Sequence, residues 1–204
     1  MLDTYRHIWR PADRPEAPVL ILLHGTGGHA HDMVRLGQAV APGAGLLALE
    51  GDVDEHGQAR FFRRRGEGLY DMEDLAQRIA RFEAFLDAAM ARYAIFAERA
   101  IGIGYSNGAN MLAAHGFEHP SRFAKLGLMH PLIPWTPEVQ GSSGRQRVSI
   151  TAGQSDPICP PAMTEALAEA YRRHGADLTV DWHPGGHEIR PGEIETMRAL
   201  VTSP

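Results

Sequence analysis

The sequence lacks the features that would place a protein outside a reducing compartment or inside a membrane. Its 204 residues include a single cysteine, Cys159, so no disulfide can form within the chain. The longest aliphatic run, Val19–Leu23, is far shorter than the roughly 20 residues that a membrane-spanning helix needs. Charges and prolines interrupt residues 1–18, so no signal peptide is predicted. We expect a cytoplasmic protein without membrane insertion.

The sequence also has fewer basic than acidic residues. The 20 Lys and Arg residues against 25 Asp and Glu give a formal net charge of −5, which argues against a nucleic-acid partner. The hydrophobic fraction of 44% and the charged fraction of 22% are ordinary for a globular protein, so disordered, collagen-like and coiled-coil classes are excluded. Residues 1–204 fit a single domain, because domains typically span about 100–200 residues.

Short apolar runs separated by helical patterns indicate the fold class. Such runs are typical of strands buried on both faces of a parallel sheet, and they cover Val19–Leu23, Gly45–Leu49, 100–103, 126–129, 147–151 and 178–182. Residues 71–93 carry apolar side chains at helical spacing, and a second helix is predicted over 161–174. We expect an α/β fold with a mostly parallel central sheet and helices on both faces. Segments 52–70 and 131–146 are expected to be long irregular loops, which often carry function.

The clearest motif is Gly-Tyr-Ser-Asn-Gly at residues 104–108, which fits Gly-x-Ser-x-Gly between a predicted strand and a predicted helix. A tight turn there lifts the hydroxyl of Ser106 out of the backbone, and the glycines avoid collisions with neighbouring chain. The helix that follows directs its N-terminal amides at developing negative charge. The motif predicts a nucleophilic serine, although glycine-rich turns that contain serine also occur without catalysis.

An acid and a histidine follow this motif in the order that is typical of hydrolases. Asp156 comes after the apolar run 147–151, and His187 lies in a glycine-rich loop after the run 178–182. The carboxyl ends of parallel strands meet at one edge of a sheet, so the three side chains can converge. We predict Ser106 as nucleophile, His187 as base and Asp156 as the acid that orients it; His183 is the alternative base.

Two backbone N–H groups are predicted to bind the oxyanion of such a reaction. One belongs to Asn107, directly after the nucleophile, and the other to Thr26 in the glycine-rich segment 24–28 after the strand Val19–Leu23. Glycines let this backbone approach a substrate closely.

The same segment also allows a different class of protein. Residues 25–30, Gly-Thr-Gly-Gly-His-Ala, fit Gly-x-Gly-x-x-Ala after a strand, and Glu50 closes the next strand. This spacing is found in dinucleotide-binding oxidoreductases, where an acid about 20 residues on binds the ribose. The alternative leaves the serine, the acid and the histidine without a role.

Together these residues resemble the α/β-hydrolase superfamily, and within it the lid-less phospholipase/carboxylesterase branch. That branch includes bacterial carboxylesterases associated with dienelactone or hydroquinone pathways. The resemblance covers most of the chain, through residues 22–28, 60–63, 104–110, 155–157 and 186–187. Dienelactone hydrolases proper have a cysteine as nucleophile, whereas this sequence has Ser106, which argues against a lactone substrate.

The resemblance implies an α/β-hydrolase fold without a cap domain and a Ser106–His187–Asp156 triad that cleaves small to medium carboxylic esters. No cofactor and no metal are implied. A preference for thioesters or lysophospholipids, and a homodimer, are left open by the sequence. A non-catalytic ligand-binding protein of the same fold is the remaining alternative.

Several further residues are predicted near the site. We expect the substrate pocket to be lined by Phe61, Phe62, Tyr105, Trp135 and Ile158. Arginines at 60 and 63–65 either attract an anionic substrate or pair with Glu67, Asp71 and Glu73. Cys159 is predicted to be a packed thiol. The histidines at 24, 29 and 31 have no partner cluster with zinc-like spacing.

Overall fold

A seven-stranded sheet forms the centre of the protein in the computed structural model, which describes residues 1–66, 68–133, 135, 137 and 146–203. The order across the sheet is β1-β3-β2-β8-β9-β10-β11. In chain order, the strands of the described residues are β1 (His7–Arg10), β2 (Val19–Leu23), β3 (Gly45–Leu49), β4 (Val53–Glu55), β5 (Gln58–Arg60), β6 (Arg64–Gly66), β7 (Leu69–Tyr70), β8 (Ala100–Tyr105), β9 (Lys125–Met129), β10 (Arg147–Gly153) and β11 (Asp177–His183). Only β1 runs antiparallel to its neighbour within this sheet.

Five α-helices cover the two faces of the sheet among the described residues. They are α1 (Ala30–Val40), α2 (Met72–Tyr93), α3 (Asn107–Glu118), α4 (Pro161–Arg173) and α5 (Pro191–Thr202). Helices α1 and α5 pack together on one face, where Met33 and Met197 join the apolar side chains of β2, β3 and β8. The other three helices bury a larger core on the opposite face. Two short 3₁₀ helices, Leu2–Thr4 and Ala97–Arg99, complete the helical elements.

Helix α2 illustrates how the local sequence builds this arrangement. The Asp71 carboxylate accepts a hydrogen bond from the Asp74 N–H at 3.2 Å and so caps the first turn. Its apolar stripe is buried against the sheet side of the molecule through Leu75, Ile79, Phe82, Phe85 and Leu86. Burying one such side chain stabilises the fold by roughly 1.5–3 kcal/mol, which is why the periodicity alone predicts the helix.

The predicted α/β class, with a mostly parallel sheet and helices on both faces, is confirmed. All six predicted strands are present, and the helices at 71–93 and 161–174 begin and end within one residue of the predicted limits. Two features differ from the prediction. Strand β1 was not predicted, and the segment 52–70 contains two small antiparallel hairpins, β4–β5 and β6–β7, instead of one irregular loop. Among the described residues, no helix has the length and apolarity to cross a lipid bilayer.

The carboxyl ends of six strands meet along one edge of the sheet. Strands β2, β3, β8, β9, β10 and β11 are all parallel, in the order β3-β2-β8-β9-β10-β11. Residues that follow these strands therefore come together, as is usual for sites in open α/β sheets. Polar side chains directly after the strands are concentrated at this edge.

Candidate active site

Ser106 occupies a strained turn between β8 and α3. Its φ of 50° and ψ of −115° lie outside the regions that side-chain-bearing residues prefer. Two glycines make the turn sterically feasible. A Cβ at Gly104 would lie 2.6 Å from the backbone nitrogen of Ala109, and one at Gly108 would lie 2.3 Å from the Leu23 oxygen. The Gly-x-Ser-x-Gly pattern is thus required by close backbone packing at this point.

The structure brings the three predicted side chains into one hydrogen-bonded chain. His187 Nε2 lies 2.8 Å from Ser106 Oγ, and His187 Nδ1 lies 2.7 Å from Asp156 Oδ2. With Nδ1 donating to the carboxylate, Nε2 is free to accept the serine proton. The Tyr105 hydroxyl donates to the backbone oxygen of His187 at 2.7 Å and holds the histidine loop against the nucleophile turn.

Asp156 is a buried carboxylate whose acceptor positions are all occupied. Oδ1 accepts from the N–H groups of Ile158 at 2.8 Å and Cys159 at 2.9 Å. Oδ2 faces two imidazoles, His187 and His130, at 2.7 and 2.8 Å. Burial alone would raise the pKa of Asp156, but these hydrogen bonds outweigh it and hold the pKa below its ordinary value. The side chain is therefore an ionised acceptor under ordinary conditions.

His183, the alternative base, points away from the serine. Its Nδ1 accepts from the Gly185 N–H at 3.0 Å, and its Nε2 lies 3.3 Å from Glu193 Oε2. The geometry therefore favours His187 over His183 as the partner of Ser106.

Two backbone N–H groups of residues beside the serine are free of hydrogen-bond acceptors among the described residues. Neither the Thr26 N–H nor the Asn107 N–H donates to an acceptor within the described part of the chain. Both residues line the cavity that contains Ser106. Their free N–H groups are consistent with the predicted oxyanion site.

The loop that carries Thr26 is held from two directions. Arg60 donates to the Thr26 hydroxyl at 2.6 Å, and Gly27 donates to the Ala59 oxygen at 3.0 Å, so the hairpin β4–β5 supports the loop. His24 donates to the Gly25 oxygen at 2.6 Å and accepts from the Gly51 N–H at 2.9 Å. Burial lowers the pKa of His24 and keeps it neutral in this role.

A cavity of about 310 Å³ opens beside Ser106 and His187. Tyr105 and Ile158 line it, as predicted, and Cys159 and Asn110 lie on its wall. The described lining residues are Thr26, Gln58, Arg60, Arg64, Gly68, Tyr70, Tyr105, Ser106, Asn107, Asn110, Leu132, Ile158, Cys159 and His187.

Phe61 and Phe62 do not line this cavity, so that prediction is wrong. Both side chains are fully buried in the core, Phe61 against the ring of His24 and Phe62 against the ring of Tyr70. The Phe61 N–H donates to the Asn107 Oδ1 at 2.8 Å, which ties the hairpin segment to the residue after the nucleophile. Their effect on the site is therefore to support the residues around it.

Trp135 also lies elsewhere. It lines a separate cavity of about 460 Å³ between α2 and α3, whose described wall is mostly apolar. Its ring contacts Tyr70, with centroids 6.0 Å apart, and Tyr70 in turn lines the cavity beside Ser106. The predicted pocket role is wrong for Trp135, and Tyr70 stands between it and the serine.

The arginines of segment 60–65 form ion pairs, mostly with partners other than those predicted. Arg60 and Arg64 both lie near Glu55, at 3.8 and 2.9 Å, and both line the Ser106 cavity. Arg65 lies 3.6 Å from Asp71, one of its predicted partners. The predicted partner Glu67 lies outside the described residues. The carboxylate that pairs with Arg60 and Arg64 is Glu55 of the hairpin β4–β5, which was not among the predicted partners.

Cys159 is buried, as expected for a packed thiol, and its Sγ contacts the His130 oxygen at 3.3 Å.

Glu50 has a role that contradicts the dinucleotide alternative. Its carboxylate accepts from the Ala30 N–H and faces His29 Nδ1, both at 2.7 Å, so it occupies the N-terminus of α1. A pyrophosphate would need that same position.

Comparison with known proteins identifies the family of this chain. Residues 5–188 match the Dienelactone hydrolase family. The chain belongs to this family. It is 39% identical over 184 residues to MhqD of Bacillus subtilis (strain 168), a protein named as a hydrolase, with 88% of this chain and 90% of that protein covered.

Solved structures similar to this member of the dienelactone hydrolase family include two carboxylesterases. The Bacillus cereus carboxylesterase is 36% identical with a TM-score of 0.93, covering 97% of this chain and 93% of that one. The Mesorhizobium loti carboxylesterase is 28% identical with a TM-score of 0.91, covering 98% and 96%. Atu2452 of Agrobacterium tumefaciens, of unknown function, is 46% identical with a TM-score of 0.90, covering 98% and 97%. The predicted α/β-hydrolase fold is confirmed.

Proposed function

We propose that this protein is a serine carboxylesterase that cleaves small to medium carboxylic esters through an acyl-enzyme on Ser106. The observation that carries the proposal is the continuous contact from Ser106 Oγ through His187 to Asp156, with distances of 2.8 and 2.7 Å. The carboxylesterases among the structural relatives support the same class of reaction.

Acylation follows from the proton positions that this chain of contacts requires. His187 Nε2 takes the proton of Ser106 as Oγ attacks the ester carbonyl, and Asp156 stabilises the imidazolium that forms. The N–H groups of Thr26 and Asn107 donate to the oxyanion, which exists only in the tetrahedral intermediate. His187 then gives its proton to the alkoxide of the leaving alcohol as the carbon–oxygen bond breaks.

Deacylation repeats these steps with water. His187 takes a proton from the water molecule that attacks the acyl carbonyl, and the proton returns to Ser106 Oγ when the acid leaves. The reaction consumes one ester and one water and yields one acid and one alcohol. Every proton transfer in this scheme uses the side chain of His187.

The dimensions of the cavity limit the substrate. Its volume of about 310 Å³ is at the small end of ligand pockets, which span roughly 300–1,000 Å³. Its wall combines hydroxyl, amide and guanidinium groups with few aliphatic side chains, among which Leu132 and Ile158 are the described examples. Short acyl groups fit this volume better than long alkyl chains.

Labelling with a fluorophosphonate, followed by peptide mass mapping, tests the proposal. We expect modification at Ser106 in the parent and none in Ser106→Ala, which should lose at least about 10⁴-fold in kcat/KM with an unchanged unfolding temperature. A p-nitrophenyl ester series of increasing acyl length should then show its highest kcat/KM for short chains.

The contrary results are equally specific. Modification at another residue, or full turnover by Ser106→Ala, would remove the serine from the mechanism. Absence of labelling together with tight binding of esters or carboxylic acids would favour the non-catalytic alternative. A maximum at long acyl chains would overturn the size limit alone.

A further inference from the structure

A second histidine touches the carboxylate that orients the proposed base. His130 follows β9 directly, just as Ser106 follows the neighbouring strand β8. Its φ of 51° is left-handed, a conformation that is unfavourable for a residue with a side chain. Its side chain is fully buried. A strained, buried histidine beside a proposed catalytic carboxylate calls for a functional explanation.

Both ring nitrogens of His130 face carboxylate oxygens. Nδ1 lies 2.8 Å from Asp156 Oδ2, and Nε2 lies 3.2 Å from Glu193 Oε1. His130 Nε2 also lies 3.4 Å from His183 Nε2, but Glu193 Oε1 is nearer. A lone pair on either ring nitrogen would face a carboxylate, which favours a hydrogen on each. Burial favours the neutral ring, but the hydrogen bonds to Glu193 and Asp156 outweigh it and raise the pKa of His130 above 6.5.

Glu193 is held in place at the start of α5 by hydrogen bonds to both of its carboxylate oxygens. Oε2 accepts from the Arg190 N–H at 2.7 Å, and Oε1 accepts from the Thr151 hydroxyl at 2.6 Å. A carboxylate in the first turn of a helix is stabilised by the free N–H groups there. Hydrogen bonds to His130 and Thr151 outweigh burial and lower the pKa of Glu193. It is therefore a fixed anion.

The spacing of His130, His183 and Glu193 also resembles a metal site, because their nearest ring nitrogens and carboxylate oxygens lie 3.2–3.4 Å apart. A hydrogen bond decides against this interpretation. The Gly185 N–H donates to His183 Nδ1, so that nitrogen has no hydrogen and Nε2 must carry it. The hydrogen on Nε2 faces His130 Nε2 at 3.4 Å and Glu193 Oε2 at 3.3 Å, so this nitrogen has no lone pair for a metal ion.

We propose that His130 is a positioning residue that stays protonated between Asp156 and Glu193 and sets how readily His187 accepts a proton. The inference rests on the proposed function, because it assigns His130 an effect on the base of that reaction. The rings of His130 and His187 lie 5.0 Å apart and share the Asp156 Oδ2 atom. A cation at this distance disfavours a second cation on His187 in the resting enzyme.

The summed charge of His130, Asp156, Glu193 and His187 explains how His130 would affect the base. Asp156, Glu193 and protonated His130 sum to one negative charge while His187 is neutral. When His187 takes the serine proton, the same buried cluster becomes neutral. Without His130, two carboxylates would hold the proton on His187 too strongly, and less of the neutral base would be present near neutral pH.

The titratable side chains that contact His130, within the described residues, come from several elements. They are Tyr105, Asp156, Cys159, His183, His187 and Glu193. Burial raises the pKa of Tyr105 to about 12, so its hydroxyl is neutral at working pH. Asp156 and Glu193 are therefore the anions that determine the charge on the ring.

Nitrogen-15 NMR of the histidine side chains tests the charge directly in the full protein. We expect His130, assigned by its absence in His130→Gln, to keep imidazolium shifts to a higher pH than an unperturbed histidine, whose pKa is about 6.5. A His130 ring that is neutral at pH 7 would overturn the proposal. The NMR measurement is independent of turnover, whereas fluorophosphonate labelling of Ser106 reports on the proposed function separately.

The pH profile of kcat/KM tests the effect on the base. In His130→Gln the acid limb should move up by about one pH unit, with KM for a short ester little changed. His183→Gln is the matched control, since it alters the same network without removing a charge, and its acid limb should coincide with that of the parent. A folded His130→Gln variant with the parental profile, or an equal shift in both variants, would contradict the proposal.

Discussion

Two fully buried histidines, His115 and His130, each lie beside a carboxylate, yet their surroundings shift their pKa values in opposite directions. His115 Nε2 lies 2.7 Å from Glu83 Oε2, while its Nδ1 has no hydrogen-bond partner among the described residues. Burial outweighs the hydrogen bond to Glu83 and lowers the pKa of His115. The neutral ring needs one donor and one lone pair, which matches these contacts.

The difference comes from the cation that each cluster already contains. Arg122 donates to Glu83 and also to Asp87, so Glu83 is neutralised without a proton on His115. Within the described residues, neither Asp156 nor Glu193 pairs with an arginine or lysine. Both rings are fully buried, so the difference between the directions of their pKa shifts follows from the neighbouring carboxylates and fixed cations.

Replacing Asp156 by Asn should have the largest effect on this contrast. The substitution removes the charge that orients His187. It also removes one of the two anions that stabilise the protonated form of His130. We expect kcat to fall by about 10⁴-fold, as when the acid of a triad is replaced by its amide. Steady-state kinetics on a short ester measure the loss, and a loss under tenfold would contradict the assigned role. Unfolding measurements establish whether the variant is folded.

The residues of the proposed triad were predictable because sequence order and strand ends restrict where they can lie. Ser106, Asp156 and His187 each follow an apolar run, and parallel strands bring such positions to one edge. The same rule applies to His130, which follows the run 126–129 directly, but no motif singled it out. Glu193 also had a signal, since proline at the first helical position and glutamate at the third mark a helix start.

The hairpins of segment 52–70 and the contacts of its phenylalanines were not predictable in this way. Their strands have two or three residues each, too few for a period to show. Phe61 and Phe62 are buried because the hairpin segment folds under the nucleophile turn, a long-range contact fixed by Asn107 Oδ1. Side chains in a segment without periodicity cannot be assigned to core or pocket from sequence alone.

Replacing Arg122 by Met should leave Glu83 beside a histidine without a fixed cation, as Asp156 is at the proposed site. The buried carboxylate loses its fixed cation, and His115, which lies nearer to Glu83 than His119 does (2.7 against 3.8 Å), becomes the first candidate to supply the positive charge. We expect stability to fall by about 2–3 kcal/mol, less than for a wholly buried pair because Arg122 is 21% exposed. Urea unfolding measures the loss, and histidine NMR should show His115 protonated at higher pH than in the parent.

A matched control separates this effect from the loss of any arginine. Arg14 forms an exposed pair with Glu16 at 3.6 Å, and its replacement by Met should change stability by less than about 1 kcal/mol. Neither substitution should alter kcat/KM, because both residues lie outside the proposed site. Equal stability losses in the two variants would show that the Glu83 cluster contributes no more than a surface pair.

The smallest expected effect is the dependence of stability on acid pH through Glu83. Burial raises its pKa, but hydrogen bonds to His115 and Arg122 outweigh this and lower the pKa from 4.5 to about 2. Because the folded-state pKa is depressed, the contribution of Glu83 is fully present above pH 4.5 and is lost as the pH falls toward 2. Allowing for partial solvent exposure, we expect about 1–2 kcal/mol to be lost over this range.

Glu83→Gln isolates this contribution from those of other acids. The variant should be less stable than the parent at neutral pH, and the gap should narrow as the pH falls from 4.5 toward 2, because the parent then also loses its charge. Urea midpoints across this range measure the gap. A gap that stays constant with pH would mean that Glu83 acts through packing and not through its charge.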